Sequence, residues 1–165
     1  MARRFELLHS LKDVQRLTKQ MDSVITDEAV KREMFAIGTP VAILGDEYKQ
    51  IPFDGYPVVY WVISDINRDM QVYGSGVAND VLESNGLTAF FGQTRVIVDF
   101  FENSGVAYAA GQSLYAKKVG NATVLTNKDP NEGASNPNPS VKPIALVEDV
   151  VEEGGSVIAL KIKTL

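Results

Sequence analysis

The clearest pattern of apolar and polar positions lies at the C-terminal end of the chain. There, apolar residues alternate with lysines: Ile158, Leu160 and Ile162 against Lys161 and Lys163. A period of two residues is typical of a strand that buries one face, so we expect these three apolar side chains in the core. Gly154 and Gly155 precede the strand and predict a turn, because glycine readily adopts the positive φ that tight turns need. Apolar runs over 112–119 and 141–147 predict two further strands.

The first 37 residues show a different spacing. Apolar residues recur there every three or four positions: Leu7, Leu8, Leu11, Val14, Leu17 and Met21. This spacing places them on one face of a helix. Ser10 is suited to cap that helix, and the sequence Thr26-Asp27-Glu28 predicts the start of a second one. Gly38 and Pro40 end the pattern, so residues 1–37 are predicted to form an N-terminal helical segment.

From Pro40 onward the chain is predicted to be β. Short runs rich in branched and aromatic residues alternate with turn residues, and they cover 41–44, 57–66, 70–73 and 94–101. The predicted fold class is therefore mainly β with a minor α part, a compact β-barrel-like domain over 38–165 that follows the helical segment. Residues 38–93 and 94–165 echo each other in their order of glycines, prolines and apolar runs. Two related β units and chance similarity both explain this echo.

Composition narrows the chemistry that is open to the chain. It has 165 residues, no cysteine, a single histidine (His9) and a formal net charge of −5. Without cysteine there is neither a disulfide nor a thiolate ligand, and one histidine cannot build a multi-histidine metal site. The acidic balance argues against nucleic acid as a partner, and no apolar run is long enough to cross a membrane. We therefore expect no catalytic, cofactor-binding or metal-binding residues.

Two polar stretches could nevertheless carry a site. The first is a run of carboxylates that could hold a metal ion or act as a catalytic pair: Glu148, Asp149, Glu152 and Glu153. Charge runs beside a Gly-Gly turn are more typical of a solvated loop, which is the interpretation we favour. The second stretch matches part of a calcium-binding loop, but it lacks the closing glutamate. It spans Asp129, Asn131 and Gly133, within a polar segment over 129–139 that predicts an exposed loop.

Aromatic and basic residues offer two further candidates. Tyr56, Tyr60 and Trp61 could line a sugar-binding surface, although alternation along a strand favours packing in the core. The basic start of the chain could instead seat an arm on an acidic partner, and a frayed terminus is the equally open alternative. The residues of this candidate arm are Arg3, Arg4 and Phe5.

The glycine and strand pattern of the C-terminal part resembles a known family. It consists of a glycine, a short strand, a glycine turn, a polar spacer, a strand that begins with proline, and a closing apolar strand. These pieces are Gly111, 114–116, 120–124, 143–147 and 157–162. In this order they are similar to the tailed-phage capsid decoration proteins of the lambda decoration-protein type, which have a β-tulip fold. Residues 95–105 also resemble the strand that leads into this unit, whereas residues 1–93 show no such likeness.

The resemblance implies a structural protein rather than an enzyme. It would decorate and cement the expanded head by bridging neighbouring major capsid subunits, as a homotrimer at three-fold or quasi-three-fold positions. Its place would be the outer surface of the virion after synthesis in the host cytoplasm, with no cofactor and with neither nucleic acid nor membrane as a partner. The alternatives are another virion β-domain, from a tail or baseplate, and a surface carbohydrate-binding module.

Overall fold

The fold is known from a computed structural model that describes residues 3–8, 14–53, 55–56, 58–63, 86–103 and 105–165. Eleven strands and one short helix, α1, lie within these ranges, so the prediction of a mainly β fold is confirmed. In chain order they are β1 Phe5–Leu7, β2 Gln15–Met21, α1 Glu28–Met34, β3 Pro40–Leu44, β4 Glu47–Gln50, β5 Tyr60–Val62, β6 Gly86–Phe91, β7 Arg95–Val98, β8 Ser113–Val119, β9 Ala122–Thr126, β10 Ala145–Glu153 and β11 Ser156–Thr164.

Five of the strands close into a barrel in the order β2-β4-β3-β5-β6. The β2–β4 pair is parallel and the other pairs are antiparallel. Gly45 adopts a φ of 66° in the tight β3–β4 turn, a backbone conformation that glycine reaches without strain. Closure gives each of these strands two neighbours, so that both of its edges are paired. Residues of the barrel strands form a buried cluster with Phe35 at the end of α1: Met21, Phe35, Val41, Tyr48, Val62, Leu87 and Ala89.

The other six strands form a curled sheet in the order β1-β7-β11-β10-β8-β9. The two sides of this sheet approach each other where the chain leaves β7. Phe101 forms a parallel bridge with Leu125 of β9, the Glu102 N–H donates to the Leu125 carbonyl at 2.8 Å, and the Leu125 N–H donates to the Phe100 carbonyl at 3.0 Å. The backbone edge of β9 is therefore partly covered by the chain that follows β7.

One hydrophobic cluster joins the barrel and the curled sheet. Trp61 and Phe90 of the barrel pack in it together with Val98, Leu114 and Leu160 of the sheet. A further hydrogen bond crosses the same junction, from the Thr123 hydroxyl to the Ile51 carbonyl at 2.9 Å. The two β structures consequently share a core, and neither is an appended module.

The predicted N-terminal helical segment is wrong. Phe5–Leu7 and Gln15–Met21 are strands, and the helix of the described residues lies at Glu28–Met34. The apolar spacing of this region fits a helix, but pairing of β1 with β7 and of β2 with β6 determines its conformation. The second predicted helix start is confirmed, because the Asp27 carboxylate accepts a hydrogen bond from the Val30 N–H at 3.0 Å.

The predicted faces of the last strand are right at two positions and wrong at one. Leu160 and Ile162 are fully buried, whereas Ile158 is 41% exposed. Val151 pairs with Ala159 and Glu152 pairs with Val157, so Ile158 is an extra residue in a β-bulge. A single extra residue reverses the alternation of side chains, and Val157 packs against the core instead.

Several predictions fall on parts of the chain that the structure does not describe. His9, Ser10 and the predicted strand over 70–73 lie outside the described residues, as do Pro57 and residues 64–66 of another predicted strand. The turn at Gly154 and Gly155 is confirmed, with φ values of 58° and 79°.

Candidate contact surfaces

The basic start of the chain is docked on the body of the protein. Phe5 of β1 pairs with Val98 of β7, and its ring lies 6.3 Å from Trp61, 6.2 Å from Phe90 and 6.4 Å from Phe100, measured between centroids. Trp61 and Phe90 belong to barrel strands, and Phe100 follows β7. Phe5 therefore ties the N-terminal strand to the shared core.

The two arginines beside Phe5 are also engaged within the chain. The Arg3 guanidinium lies 4.8 Å above the Phe100 ring and donates to the Thr39 hydroxyl at 3.2 Å. Burial lowers the pKa of Arg3 from its ordinary value, and the charges of Asp99 and Glu33 oppose that shift. Arg4 forms an exposed ion pair with Glu6 at 2.8 Å, and its backbone N–H donates to Asp99 at 2.8 Å.

Phe5 thus opens the edge strand β1, and Arg3 and Arg4, which precede it, are held against the body of the protein rather than forming a free arm or a frayed end. Within the described residues, β7 is the sheet neighbour of β1, and β1 forms one end of the strand order. An edge strand presents unpaired backbone groups along its outer side, which a strand from another protein can pair with. The contact role that the sequence assigns to Arg3, Arg4 and Phe5 stays a prediction.

A cleft rimmed by lysines opens beside the β8–β9 hairpin. It encloses about 300 Å³ and combines an apolar floor with a charged rim. Its lining residues are Pro52, Glu102, Ala116, Lys117, Lys118, Thr126, Lys128 and Pro130. Three lysines therefore meet a single carboxylate in the lining, so the cleft carries net positive charge on a chain whose overall charge is −5. Asp129 lies next along the chain, where it interacts with Tyr115.

Glu102 organises one side of this cleft. Its carboxylate accepts hydrogen bonds from the Lys117 ammonium at 2.7 Å and from the Thr126 hydroxyl at 2.8 Å, and Lys128 lies 3.9 Å away. The bond from Lys117 is the main reason that the pKa of Glu102 lies below its ordinary value, with Thr126 next, while burial opposes them. The side chains of Lys117 and Lys128 remain 45% and 60% exposed, so their charges stay accessible to a partner.

This cleft was not predicted from the sequence. The Lys117-Lys118 pair next to the Gly120 turn was a visible signal of an exposed basic hairpin. Lys128 follows β9, which pairs with β8 in the hairpin. Glu102 comes from another segment, and it joins the lysines because the sheet curls until Phe101 meets Leu125.

The carboxylate run over 148–153 is divided between two places. Glu148 forms an ion pair with Arg95 at 2.9 Å, and Asp149 forms one with Lys161 at 3.3 Å. Glu152 and Glu153 lie exposed at the tip of the β10–β11 hairpin. Within the described ranges, no group of three or more His, Asp or Glu side chains is arranged to hold a metal ion. The predicted exposure is right for Glu152 and Glu153, but all four carboxylates belong to strand β10 rather than to a loop, and side chains of neighbouring strands pair with Glu148 and Asp149.

The segment with a partial calcium pattern is held by its own polar groups. Asp129 accepts from the Asn131 N–H at 2.8 Å, as in an Asx turn. The Asn131 side chain accepts from the Asn138 N–H at 2.8 Å and donates to the Asn138 carbonyl at 2.9 Å. The residues between them are exposed, as the sequence predicts for this loop, and the two asparagines close its base.

The three candidate sugar-binding aromatics do not form an exposed surface. Trp61 is fully buried, Tyr56 is nearly so, and Tyr60 is half-buried against Tyr48 and Phe91. The prediction that they pack in the core is confirmed for Trp61 and Tyr56.

Comparisons with protein-family profiles, with curated proteins and with solved structures find no match to the chain. Among the described residues, no helix is long and apolar enough to cross a membrane.

Proposed function

We propose that this protein decorates and cements the head of a tailed phage, by bridging neighbouring major capsid subunits on the outer surface of the virion. In this role it is a non-enzymatic structural protein that acts as a homotrimer at three-fold or quasi-three-fold positions. It needs no cofactor, and its partners are the capsid protein and further copies of itself. The curled sheet is the part that we propose to be β-tulip-like.

The observation that carries the proposal is where the family-like residues lie in the fold. Each strand piece of the resemblance lies in or leads into a strand of the curled sheet: 114–116 in β8, 120–124 at the β8–β9 turn, 143–147 entering β10, and 157–162 in β11. Gly111 and Gly120 both adopt positive φ, at 89° and 62°, as turn glycines do. The pattern therefore describes one continuous structural unit, which supports reading it as a family resemblance rather than as scattered similarity.

The surfaces of the molecule suit repeated docking rather than chemistry. A cement protein binds the capsid protein at many equivalent positions on the shell, so the affinity of each single contact can be low. Three copies of one contact in a trimer raise the affinity by effective concentration, often by a factor of ~10²–10⁴ over a single contact. The outer edge of β1 is a candidate for the contact with the capsid protein, since a strand at the end of a sheet can pair with a strand of another protein. The exposed Arg4–Glu6 ion pair lies beside this edge.

The proposal is tested by finding where the protein resides and in how many copies. Heads and tails of the phage that carries the gene are separated, and the protein is quantified in each fraction by mass spectrometry. We expect it in heads, in a fixed ratio to the capsid protein that corresponds to three copies per three-fold position. Its presence in tails alone would favour the tail or baseplate alternative. Its absence from virions, together with binding to glycans, would favour the carbohydrate-binding alternative.

A further inference from the structure

The chain carries two exposed surfaces of opposite charge at opposite ends of the curled sheet. One is the lysine cleft, defined above by the residues that line it. The other is the acidic tip, residues 152–156 of the β10–β11 hairpin, whose Glu152 and Glu153 are exposed. Glu148 and Asp149, the other carboxylates of the run, form ion pairs with Arg95 and Lys161. Glu152 and Glu153 lie beyond these pairs, at the end of the hairpin.

Strand pairing keeps the two surfaces apart within one chain. β8 pairs antiparallel with β10 through Leu114 with Ala145 and Ser113 with Leu146. From this junction β8 runs three residues one way to Lys117, and β10 runs eight residues the other way to Glu153. At roughly 3.3 Å per residue, the cleft and the tip are about 35 Å apart along the strands. The tip of a chain therefore cannot reach the cleft of the same chain.

Each of the two surfaces also has an apolar part that the other could cover. Ile158, the bulged residue of β11, lies exposed on the same hairpin as the tip. The floor of the cleft offers apolar contacts from Pro52, Ala116 and Pro130. Lys118 and Lys128 at the rim are suited to bind two carboxylates that enter above this floor.

We propose that the acidic tip of one copy inserts into the lysine cleft of the next copy, and that this head-to-tail contact builds the oligomer. Such a contact joins different patches on the two subunits, so it closes into a ring when the rotation between subunits allows it. Glu152 and Glu153 of one copy then pair with Lys118 and Lys128 of its neighbour, while Ile158 covers the apolar floor. This inference deepens the proposed function, from which it takes the expected copy number of three, but its test uses the isolated protein.

The test compares charge reversals on each surface with their combination. Molar mass is measured by sedimentation over a range of protein concentrations, at low and at high salt. We expect wild type to form a closed oligomer that weakens as salt rises. Glu152→Lys/Glu153→Lys and Lys118→Glu/Lys128→Glu should each weaken self-association about tenfold or more, since like charges then face each other. The chain with all four substitutions restores opposite charges at every contact, and it should associate within about threefold of wild type.

A control for the Glu152→Lys/Glu153→Lys variant carries the same change in net charge elsewhere. Glu28→Lys/Glu132→Lys reverses two exposed carboxylates outside both surfaces and should self-associate like wild type. Thermal unfolding of each variant checks that it is folded.

Three results would overturn the inference: a wild-type protein that stays monomeric, double reversals that associate like wild type, or a four-substitution chain as weak as the doubles. A Lys118→Glu/Lys128→Glu variant that associates normally but no longer binds heads would show that the cleft takes an acidic capsid segment instead. Failure of the proposed function looks different, because the charge reversals and their combination would then behave as expected while the protein is missing from heads.

Discussion

Replacing Phe5 by alanine tests whether the N-terminal strand belongs to the folded body. The ring packs against Trp61, Phe90 and Phe100, and it lies so close to Gly38 that a Cβ there would meet it at 2.5 Å. Truncating a fully buried phenylalanine costs about 3–5 kcal/mol. Phe5 is half-buried, so we expect a loss of about 2–3 kcal/mol in the free energy of unfolding.

The loss can be measured by urea unfolding followed through tryptophan fluorescence. Trp61 is the single tryptophan of the chain and stacks on Phe5, so its emission reports directly on this site. For a chain of this size, the loss corresponds to a fall of roughly 4–12 °C in melting temperature.

Glu6→Ala is the matched control on the same strand. Glu6 faces away from the core and makes an exposed ion pair with Arg4, so its removal should cost less than about 1 kcal/mol. If Phe5→Ala were as mild as Glu6→Ala, the N-terminal residues would be a free arm, and the docking described here would be refuted.

Three further predictions follow from the core, the cleft and the loop. Leu160→Ala should cost about 2–5 kcal/mol and Ile158→Ala clearly less, and equal losses in urea unfolding would contradict the bulge. Because the pKa of Glu102 is depressed, its contribution to stability is present above its ordinary value of 4.5 and is lost as pH falls through the native pKa. Glu102→Gln should thus flatten that part of the stability–pH curve, and an unchanged slope would show that its ion pairs contribute nothing. Deleting residues 133–136, which spares Asn131 and Asn138, should leave the melting temperature within a few degrees of wild type.

The strands of the C-terminal part could be predicted because their patterns are local. The alternation around Leu160 and Ile162 in β11 and glycine turns such as Gly154-Gly155 need no knowledge of distant residues. The predicted burial of Ile158 was wrong because of one extra residue in β11. A bulge depends on how two strands pair, and it leaves no signal in either strand alone.

The N-terminal region could not be predicted for a related reason. β2 reads Gln-Arg-Leu-Thr-Lys-Gln-Met, which is rich in residues with high helix propensity. Its pairing with β6, more than 60 residues away, overrides that preference. The same non-local folding brings Glu102 to Lys117 and Lys128, so the cleft could not be assembled from spacing along the chain.

The central claim, that this protein cements a phage head, is tested most directly by the mechanical resistance of DNA-filled heads. Heads assembled without the protein are heated and subjected to osmotic shock, and DNA release is followed with a fluorescent dye. The purified protein is then added back over a range of concentrations, with an unrelated acidic protein of similar size as the control.

We predict that heads lacking the protein have normal size and shape but release DNA at lower temperature and under milder shock. Added protein should restore resistance, and the effect should saturate when every three-fold position holds a trimer. If heads without the protein resist heat and shock as well as complete heads do, the cement function is wrong.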